Sequence, residues 1–191
     1  ASLLFAFAFV MFSGFAGYLS DRHEKKTIVV LCKVAEILVM AAGLFVFLLS
    51  PPGSLAFIIA LFAVLFFMGL QSAFFGPSKY GILPEMFSDT DLPVVNGAVL
   101  GTTFLAIIFG TALAGLLKDA LAGQLWLISL LCVALAVIGT ATATLIRRTP
   151  AAQPQMRFAS RNWFIDPQIW KKVIADTALF KVLLVYSLFW F

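Results

Sequence analysis

Charge is scarce in this chain. Asp, Glu, Lys and Arg make up 12% of its 191 residues, about half of the roughly 25% typical of a soluble domain, whereas 62% of the residues are hydrophobic. A water-soluble fold of this size could not bury so much apolar surface. The composition excludes an ordinary soluble domain and predicts that lipid is the solvent for most of the chain.

Residues that build metal sites, disulfides and catalytic centres are also few. The two cysteines, Cys32 and Cys132, lie in apolar blocks, and His23 is the sole histidine. No Cys/His spacing suits a metal, and no P-loop, Gly-x-Ser-x-Gly or His-x-x-x-x-Asp motif is present. We therefore expect no catalytic residue, metal or cofactor here; any catalytic domain would follow Phe191.

Long apolar runs are what the chain has in abundance. A helix needs about 20 apolar residues to cross roughly 30 Å of hydrocarbon. The runs are continuous, whereas the strands of a membrane barrel would alternate over about ten residues. We predict an all-α polytopic bundle with spans at Ala1–Leu19, Thr27–Leu49, Ser54–Gly76, Val94–Leu117 and Leu125–Ile146, and a further span from near Ala178.

The basic residues lie mostly on one side of these spans. If the turn Asp21–Lys26 is cytoplasmic, eleven Lys and Arg residues fall on that side and only Lys118 on the other. Basic residues favour the cytoplasmic side of a membrane, so we predict that orientation. The charge is strung along connectors, which favours membrane lipids and not nucleic acid as the surroundings.

The stretch 147–178 differs from the rest in being polar and basic. Asp166 followed by Pro167 is typical of a helix start, and Lys171 and Lys172 stand in an amphipathic pattern that suits a helix lying on the membrane surface. We predict three parts, which are a bundle over 1–146, a cytoplasmic linker with an interfacial helix over 147–178, and the start of another span over 179–191.

The turn between the first two spans carries a motif, Gly17-Tyr-Leu-Ser-Asp-Arg-His-Glu-Lys-Lys26. It resembles the signature between the second and third spans of the major facilitator superfamily, Gly-x-Leu-(Ser/Ala)-Asp-Arg-x-Gly-Arg-(Arg/Lys). The matching positions are Gly17, Leu19, Ser20, Asp21 and Arg22, with Lys25 and Lys26 matched by charge. Glu24 departs from the pattern, because it stands where the family prefers a glycine with free access to positive φ.

This resemblance implies a twelve-span transporter that works by alternating access. The chain would then hold spans two to six, with one further span before it and a second six-span half of the same protein as its partner. Asp21 and Arg22 at a helix end can form charge-assisted bonds and release them when the halves rock apart. We expect a gate here, and a merely solvated loop is the alternative.

A second motif covers Gly76-Pro-Ser-Lys-Tyr-Gly-Ile-Leu-Pro-Glu85 and is followed by Val95-Asn96-Gly97. Both strings resemble bacterial lysophospholipid transporters, including forms fused to acyltransferase and acyl-carrier-protein ligase domains. The resemblance implies that lysophospholipids such as lysophosphatidylethanolamine are moved across the bacterial inner membrane. A bifunctional enzyme, a non-transporting scaffold and a general carrier of sugars or drugs are the alternatives.

The residues of the second motif are expected to complete the gate. Pro77 and Pro84 frame a predicted break at the membrane face. The break would bring Glu85 to Arg22 or Lys26, and Lys79 to Asp21. The resulting gate set is Lys79, Tyr80, Glu85 and Asn96, although Tyr80 also suits a simple anchor at headgroup depth.

Two charges, Lys33 and Glu36, lie well inside an apolar run, and ionisable residues in a membrane are functional candidates. Their spacing of three residues puts them on one helix face. They predict either a structural ion pair or the lining of a cavity that passes a zwitterionic or anionic headgroup.

Small residues recur along the fourth span. The pattern is typical of close helix packing. The residues concerned are Gly97, Gly101, Gly110 and Ala114.

Overall fold

The computed structural model describes residues 2–158 and 167–189. Within them lie eight helices, and five are long and apolar enough to cross a membrane. This confirms the predicted all-α polytopic bundle. The helices are α1 (Ser2–Arg22), α2 (Lys25–Leu49), α3 (Leu55–Gly81), α4 (Leu83–Met86), α5 (Leu92–Ala120), α6 (Leu125–Thr144), α7 (Pro167–Ala175) and α8 (Thr177–Phe189).

Helix α3 differs most from its predicted boundaries. It continues through Pro77 to Gly81, so the predicted end at Gly76 is five residues too early. Proline removes one backbone hydrogen bond but does not by itself end a helix whose faces are packed. The break between the two prolines comes at Ile82, and Pro84 lies in the first turn of the short helix α4, where a proline is well tolerated.

The turn from α2 to α3 depends on local chemistry. Gly53 has a φ of 81°, the only positive φ among the described residues, and glycine adopts this conformation without steric cost. Ser54 then caps α3, because its Oγ accepts a hydrogen bond of 3.1 Å from the Phe57 N–H. Together these residues reverse the chain within a few positions.

The turn from α1 to α2 is equally short. Glu24 stands at its centre with a φ of −58° and a ψ of 118°, an extended conformation open to any residue. The turn therefore forms without the glycine that the superfamily signature prefers.

Helix α3 is the centre of the bundle. α1 and α2 both pack along it, and α6 packs along α2. Gly69 makes the closest approach, since a Cβ there would stand 2.7 Å from the Phe5 carbonyl oxygen of α1. Small residues at such crossings let membrane helices approach closely, so Gly69 is a packing position that the sequence analysis missed.

Helix α5 is different, because none of its residues is buried. A Cβ built on Gly97, Gly101 or Gly110 would meet no atom within 4 Å outside its own helix, and Ala114 is exposed. The predicted small-residue packing is therefore not made with the other described residues. It stays a prediction for a different partner.

Several turns and helix ends lie together at one end of the bundle, and we call this surface the basic face. It comprises residues 21–26 around the α1–α2 turn, residues 79–96 from the end of α3 to the start of α5, and the segment 145–156 after α6. Two contacts join that segment to the α1–α2 turn. The Gln153 N–H donates to the Asp21 carbonyl at 2.8 Å, and Arg148 Nε lies 3.9 Å from Glu24 Oε1.

Residues 157–191 form a separate unit. In it, the described part of α7 is Pro167–Ala175, and the predicted cap residue Asp166 lies outside the described residues, so the helix start at Pro167 stays a prediction. Asp176 Oδ1 accepts a hydrogen bond of 3.0 Å from the Leu179 N–H and so caps α8. α8 begins at Thr177, next to the predicted start near Ala178; the role of 147–178 as an inter-bundle linker stays a prediction.

Candidate gate and intramembrane ion pair

An ion pair between Lys25 and Glu85 is the most buried charge contact of the basic face. The side chain of Lys25 is 4% exposed and that of Glu85 is 19% exposed. The predicted partners of Glu85, Arg22 and Lys26, are therefore wrong. Lys25 is on the side of α2 that faces α4, and successive residues of a helix point about 100° apart, so Lys26 points elsewhere.

Gly81 makes room for this pair. A Cβ at Gly81 would stand 2.9 Å from Lys25 Cε, so the lysine stem passes directly over the glycine. The sequence signal was the Lys-Tyr-Gly string itself, but nothing in the string says which side chain the glycine accommodates.

Arg22 turns back along its own helix. Its guanidinium donates to the Tyr18 hydroxyl, one helical turn earlier, and lies 5.9 Å from the centre of the Tyr18 ring. The Tyr18 hydroxyl in turn donates to the Met156 carbonyl at 3.5 Å. Tyr18, which the sequence analysis did not single out, thus links Arg22 to the segment after α6.

A buried serine pair joins α1 to α3 beneath this surface. Ser78 Oγ donates to Ser20 Oγ at 3.2 Å, and the two residues are 0% and 2% exposed. This one bond gives each buried hydroxyl a hydrogen-bond partner, which is what burial of a polar group requires. Ser20 and Ser78 are motif positions whose role here is to fix one helix against another.

Lys79 does not reach Asp21, contrary to the prediction. Its ammonium donates to Thr103 Oγ1 of α5 at 2.9 Å. It also lies over two rings, 6.0 Å from the centre of Phe75 and 5.2 Å from the centre of Tyr80. Within the described residues no carboxylate pairs with Lys79, so its positive charge is uncompensated there.

Three other predicted gate residues have free side chains. Among residues 2–158, the carboxylate of Asp21, the ammonium of Lys26 and the amide of Asn96 make no hydrogen bond or ion pair. Asn96 is exposed on α5. The basic face therefore contains an inner set of paired charges and an outer set of unpaired polar groups.

The intramembrane residues Lys33 and Glu36 form an ion pair of 2.7 Å, as predicted. Gln71 of α3 donates to Glu36 Oε2 at 3.5 Å and to the Cys32 carbonyl at 3.3 Å. Thr140 of α6 donates to the Lys33 carbonyl at 3.0 Å. The pair is thereby held among three helices, which satisfies polar groups that lipid could not.

One side of this pair is open. A cavity of about 260 Å³ is lined by Glu36, Gln71, Ser72 and Phe75, among others, whereas Lys33 packs against α6. The two predictions, a structural pair and a cavity lining, therefore divide between the two residues. Gln71 was missed, although a lone amide in an apolar run was a visible signal.

Comparison with known proteins decides the family. The family model of the Major Facilitator Superfamily matches residues 1–191. The chain belongs to this superfamily. Superfamily membership and the five candidate spans identify an integral membrane protein of a transporter family.

Two relatives carry a more specific name. The lysophospholipid transporter LplT of Klebsiella pneumoniae subsp. pneumoniae is 29% identical over 168 residues, which are 86% of this chain and 36% of that protein. The LplT of Escherichia coli O1:K1 / APEC is 30% identical over 155 residues, 80% of this chain and 34% of that protein. The chain thus spans about a third of these relatives, and no solved structure gives a significant match.

Proposed function

We propose that the full-length protein moves lysophospholipids across the bacterial inner membrane by alternating access, and that the basic face is its cytoplasmic gate. The names of the relatives support the substrate class. The observation that carries the gate is the division of the basic face into paired and unpaired charges. Asp21 and Lys26 are the unpaired members.

The paired and the unpaired charges of the basic face differ in energy, and we infer that they have different roles. Removing one partner of a buried ion pair such as Lys25–Glu85 leaves the other charge buried and unpaired, at a cost of about 3–5 kcal/mol, so this pair suits a contact that stays formed. An exposed pair is worth only about 0–1 kcal/mol, which suits a reversible latch. We assign Lys25 and Glu85 to holding the bundle together, and Asp21 and Lys26 to contacts with the second half.

The cavity beside the intramembrane pair offers a route for the headgroup. The hydrogen bonds from Lys33 and Gln71 both end on Glu36 Oε2, and Oε1 accepts none from the described residues. Oε1 is therefore free to accept a hydrogen bond from the ammonium of an ethanolamine headgroup. Lys79, at the basic face, is the uncompensated cation available to the phosphate.

Uptake of labelled lysophosphatidylethanolamine by spheroplasts tests the gate. Asp21→Asn in the full-length protein should slow the initial rate of uptake, because the amide cannot form the charge-assisted contact. Asp119→Asn is the matched control, since Asp119 is exposed at the opposite end of α5, away from the basic face. Equal rates for the two variants at equal membrane levels would remove Asp21 from the gate.

Competition tests the substrate class. Unlabelled lysophosphatidylethanolamine should block uptake, whereas glycerophosphoethanolamine, which has the same headgroup and no acyl chain, should not. Inhibition by sugars or by lipophilic drugs at similar concentrations would instead favour a general carrier.

Orientation can be measured separately. His23 is exposed in the α1–α2 turn, so a His23→Cys variant should react with a membrane-impermeant maleimide only in inside-out vesicles. Reaction in intact spheroplasts would place the basic face outside and contradict a cytoplasmic gate.

A further inference from the structure

Tyr18 occupies the variable position of the first motif, one helical turn before Arg22. It is buried, with 5% of its surface exposed, whereas Arg22 is exposed. Its ring stacks on Phe15 with 6.1 Å between the ring centres, and Phe15 makes an edge contact with Phe74 of α3 at 6.0 Å. This packing fixes the place of the Tyr18 hydroxyl near the end of α1.

Two hydrogen bonds orient that hydroxyl. It donates to the Met156 carbonyl at 3.5 Å and accepts from the Arg22 guanidinium. A tyrosine hydroxyl has one proton to donate and also accepts, so the two bonds do not compete. The guanidinium lies 5.9 Å from the centre of the Tyr18 ring, and the face of an aromatic ring attracts a cation at this distance. Tyr18 therefore offers Arg22 two interactions and holds it back along α1.

Two carboxylates of the α1–α2 turn are available to an arginine that points the other way. The Asp21 carboxylate has no partner in the described part of the chain. Glu24 Oε1 is buried and accepts no hydrogen bond from the described residues, because Arg148 Nε, at 3.9 Å, is beyond hydrogen-bonding distance. Both carboxylates lie within two residues of Arg22 in the chain, and a guanidinium can form two parallel hydrogen bonds with a carboxylate.

The direction of the Arg22 side chain follows from helix geometry. Side chains of a helix lean towards its N-terminus, which brings Arg22 to Tyr18 one turn earlier. An exposed pair with Asp21 is weak in water, so the bond to Tyr18, supported by the ring, can hold the guanidinium. Without the Tyr18 hydroxyl, the nearest strong acceptors for Arg22 are the carboxylates of the turn.

We propose that Tyr18 is a positioning residue of the gate, whose hydroxyl keeps Arg22 away from Asp21 so that the Asp21 carboxylate stays available to the second half. The proposal rests on the proposed function, because it assigns Tyr18 a part in the same gate. Tyr18 does not line the cavity beside Glu36. It should therefore affect how fast the gate works and not how tightly the substrate binds.

A double-mutant cycle in the full-length protein separates this role from a structural one. Tyr18→Phe keeps the ring and removes the hydroxyl. It should lower the maximal rate of lysophosphatidylethanolamine uptake by spheroplasts several-fold and leave the half-saturating concentration unchanged. In an Arg22→Ala background the same change should cause no further loss, because the arginine that Tyr18 holds is absent. A loss by the same factor in both backgrounds, or no loss in the wild-type background, overturns the proposal.

Arg148→Ala supplies the matched background. Arg148 is a second exposed arginine of the basic face, with 82% of its side chain exposed, and it lies nearest to Glu24. In this background Tyr18→Phe should slow uptake as much as it does in the wild type. If the effect disappears here as well, Tyr18 responds to the charge of the basic face in general, and its specific role towards Arg22 is refuted.

Carboxylate modification measures the availability of Asp21 without transport. A water-soluble carbodiimide couples accessible carboxyl groups to a glycine ester, and mass spectrometry of the purified full-length protein reports the extent at each position. Tyr18→Phe should reduce coupling at Asp21, because the freed Arg22 pairs with it, and adding Arg22→Ala should restore the coupling. Coupling at the exposed Asp119 should be equal in every variant. Equal coupling at Asp21 in the wild type and in Tyr18→Phe overturns the proposal.

The two measurements together separate this proposal from the proposed function. Reduced coupling at Asp21 in Tyr18→Phe, with uptake by Asp21→Asn as fast as by its Asp119→Asn control, would reject the gate although Tyr18 positions Arg22. Slow uptake by Asp21→Asn, with unaltered coupling in Tyr18→Phe, would keep the gate and reject the role of Tyr18.

Discussion

Helices α3 and α5 have similar compositions, but α3 is packed between other helices and α5 is exposed. Both are apolar and contain glycine, yet α3 contacts helices on two sides while α5 buries no residue. Gly69 of α3 stands against the backbone of α1, whereas Gly101 of α5 has open space beside it. The contrast shows that a small-residue pattern indicates where a helix can be approached, and not which helix approaches it.

The largest expected effect is on the paired charges that fix α2 to α4. Glu85→Ala leaves Lys25 buried without a counter-ion, which should lower the free energy of unfolding by about 3–5 kcal/mol. Unfolding in mixed micelles of sodium dodecyl sulfate measures it. Asp89→Ala is the control, and the pair Lys25→Met with Glu85→Met should recover most of the loss; a loss no larger than the control's would show that the pair stabilises nothing.

The next effect tests the close approach of α1 to α3 at Gly69. Gly69→Ala places a methyl group 2.7 Å from a carbonyl oxygen, and overpacking of this kind costs about 1–3 kcal/mol. Gly43→Ala, where the methyl group would meet Val64 at an ordinary 3.6 Å, is the control within the packed helices. If both variants unfold alike, the close approach of α1 and α3 is not a real constraint.

A smaller effect is expected for the serine pair. Ser20→Ala leaves the Ser78 hydroxyl buried without a partner. An unsatisfied buried polar group costs about 1–3 kcal/mol, and we expect the loss in the free energy of unfolding to lie near the lower end of that range. Thr102→Ala on α5 removes hydrogen bonds only to its own helix and should stay within about 0.5 kcal/mol. The same unfolding assay compares them, and equal losses would contradict the contrast between packed and unpacked helices.

The smallest effect on stability is expected at Gly101. Gly101→Leu should not destabilise the described bundle, because the site is open, and the better helix propensity of leucine should raise the free energy of unfolding by at most about 0.8 kcal/mol. Uptake by the full-length protein is the informative measurement, because a leucine would obstruct any helix that packs on this stripe. Unchanged uptake would remove the predicted packing role of the α5 glycines.

Much of the fold followed from the sequence because hydrocarbon imposes simple rules. Apolar runs of sufficient length predicted the five spans, and the spacing of Lys33 and Glu36 predicted an ion pair as one of two alternatives. A proline is a weaker rule, since Pro77 stays inside α3. The exception has a physical cause, because packing against neighbours compensates for one lost hydrogen bond.

The sequence could not predict which charged side chains pair with each other at the basic face. Lys25 and Lys26 are adjacent and carry equal charge, but only Lys25 faces Glu85. The difference depends on the rotation of α2 about its axis, which is set by its packing on α3 and α6. Thr103, the partner of Lys79, gave no signal at all, because a threonine in a helix commonly bonds its own backbone.

The tie between Gln153 and Asp21 has a practical consequence for mutagenesis. It joins a main-chain N–H to a main-chain carbonyl, so an alanine scan would leave it intact at both positions. Asp21→Asn therefore reports on the carboxylate alone, with the peptide scaffold beneath it preserved. Exchanging Gln153 for proline, which has no N–H to donate, is the genetic change that detaches this segment from the end of α1.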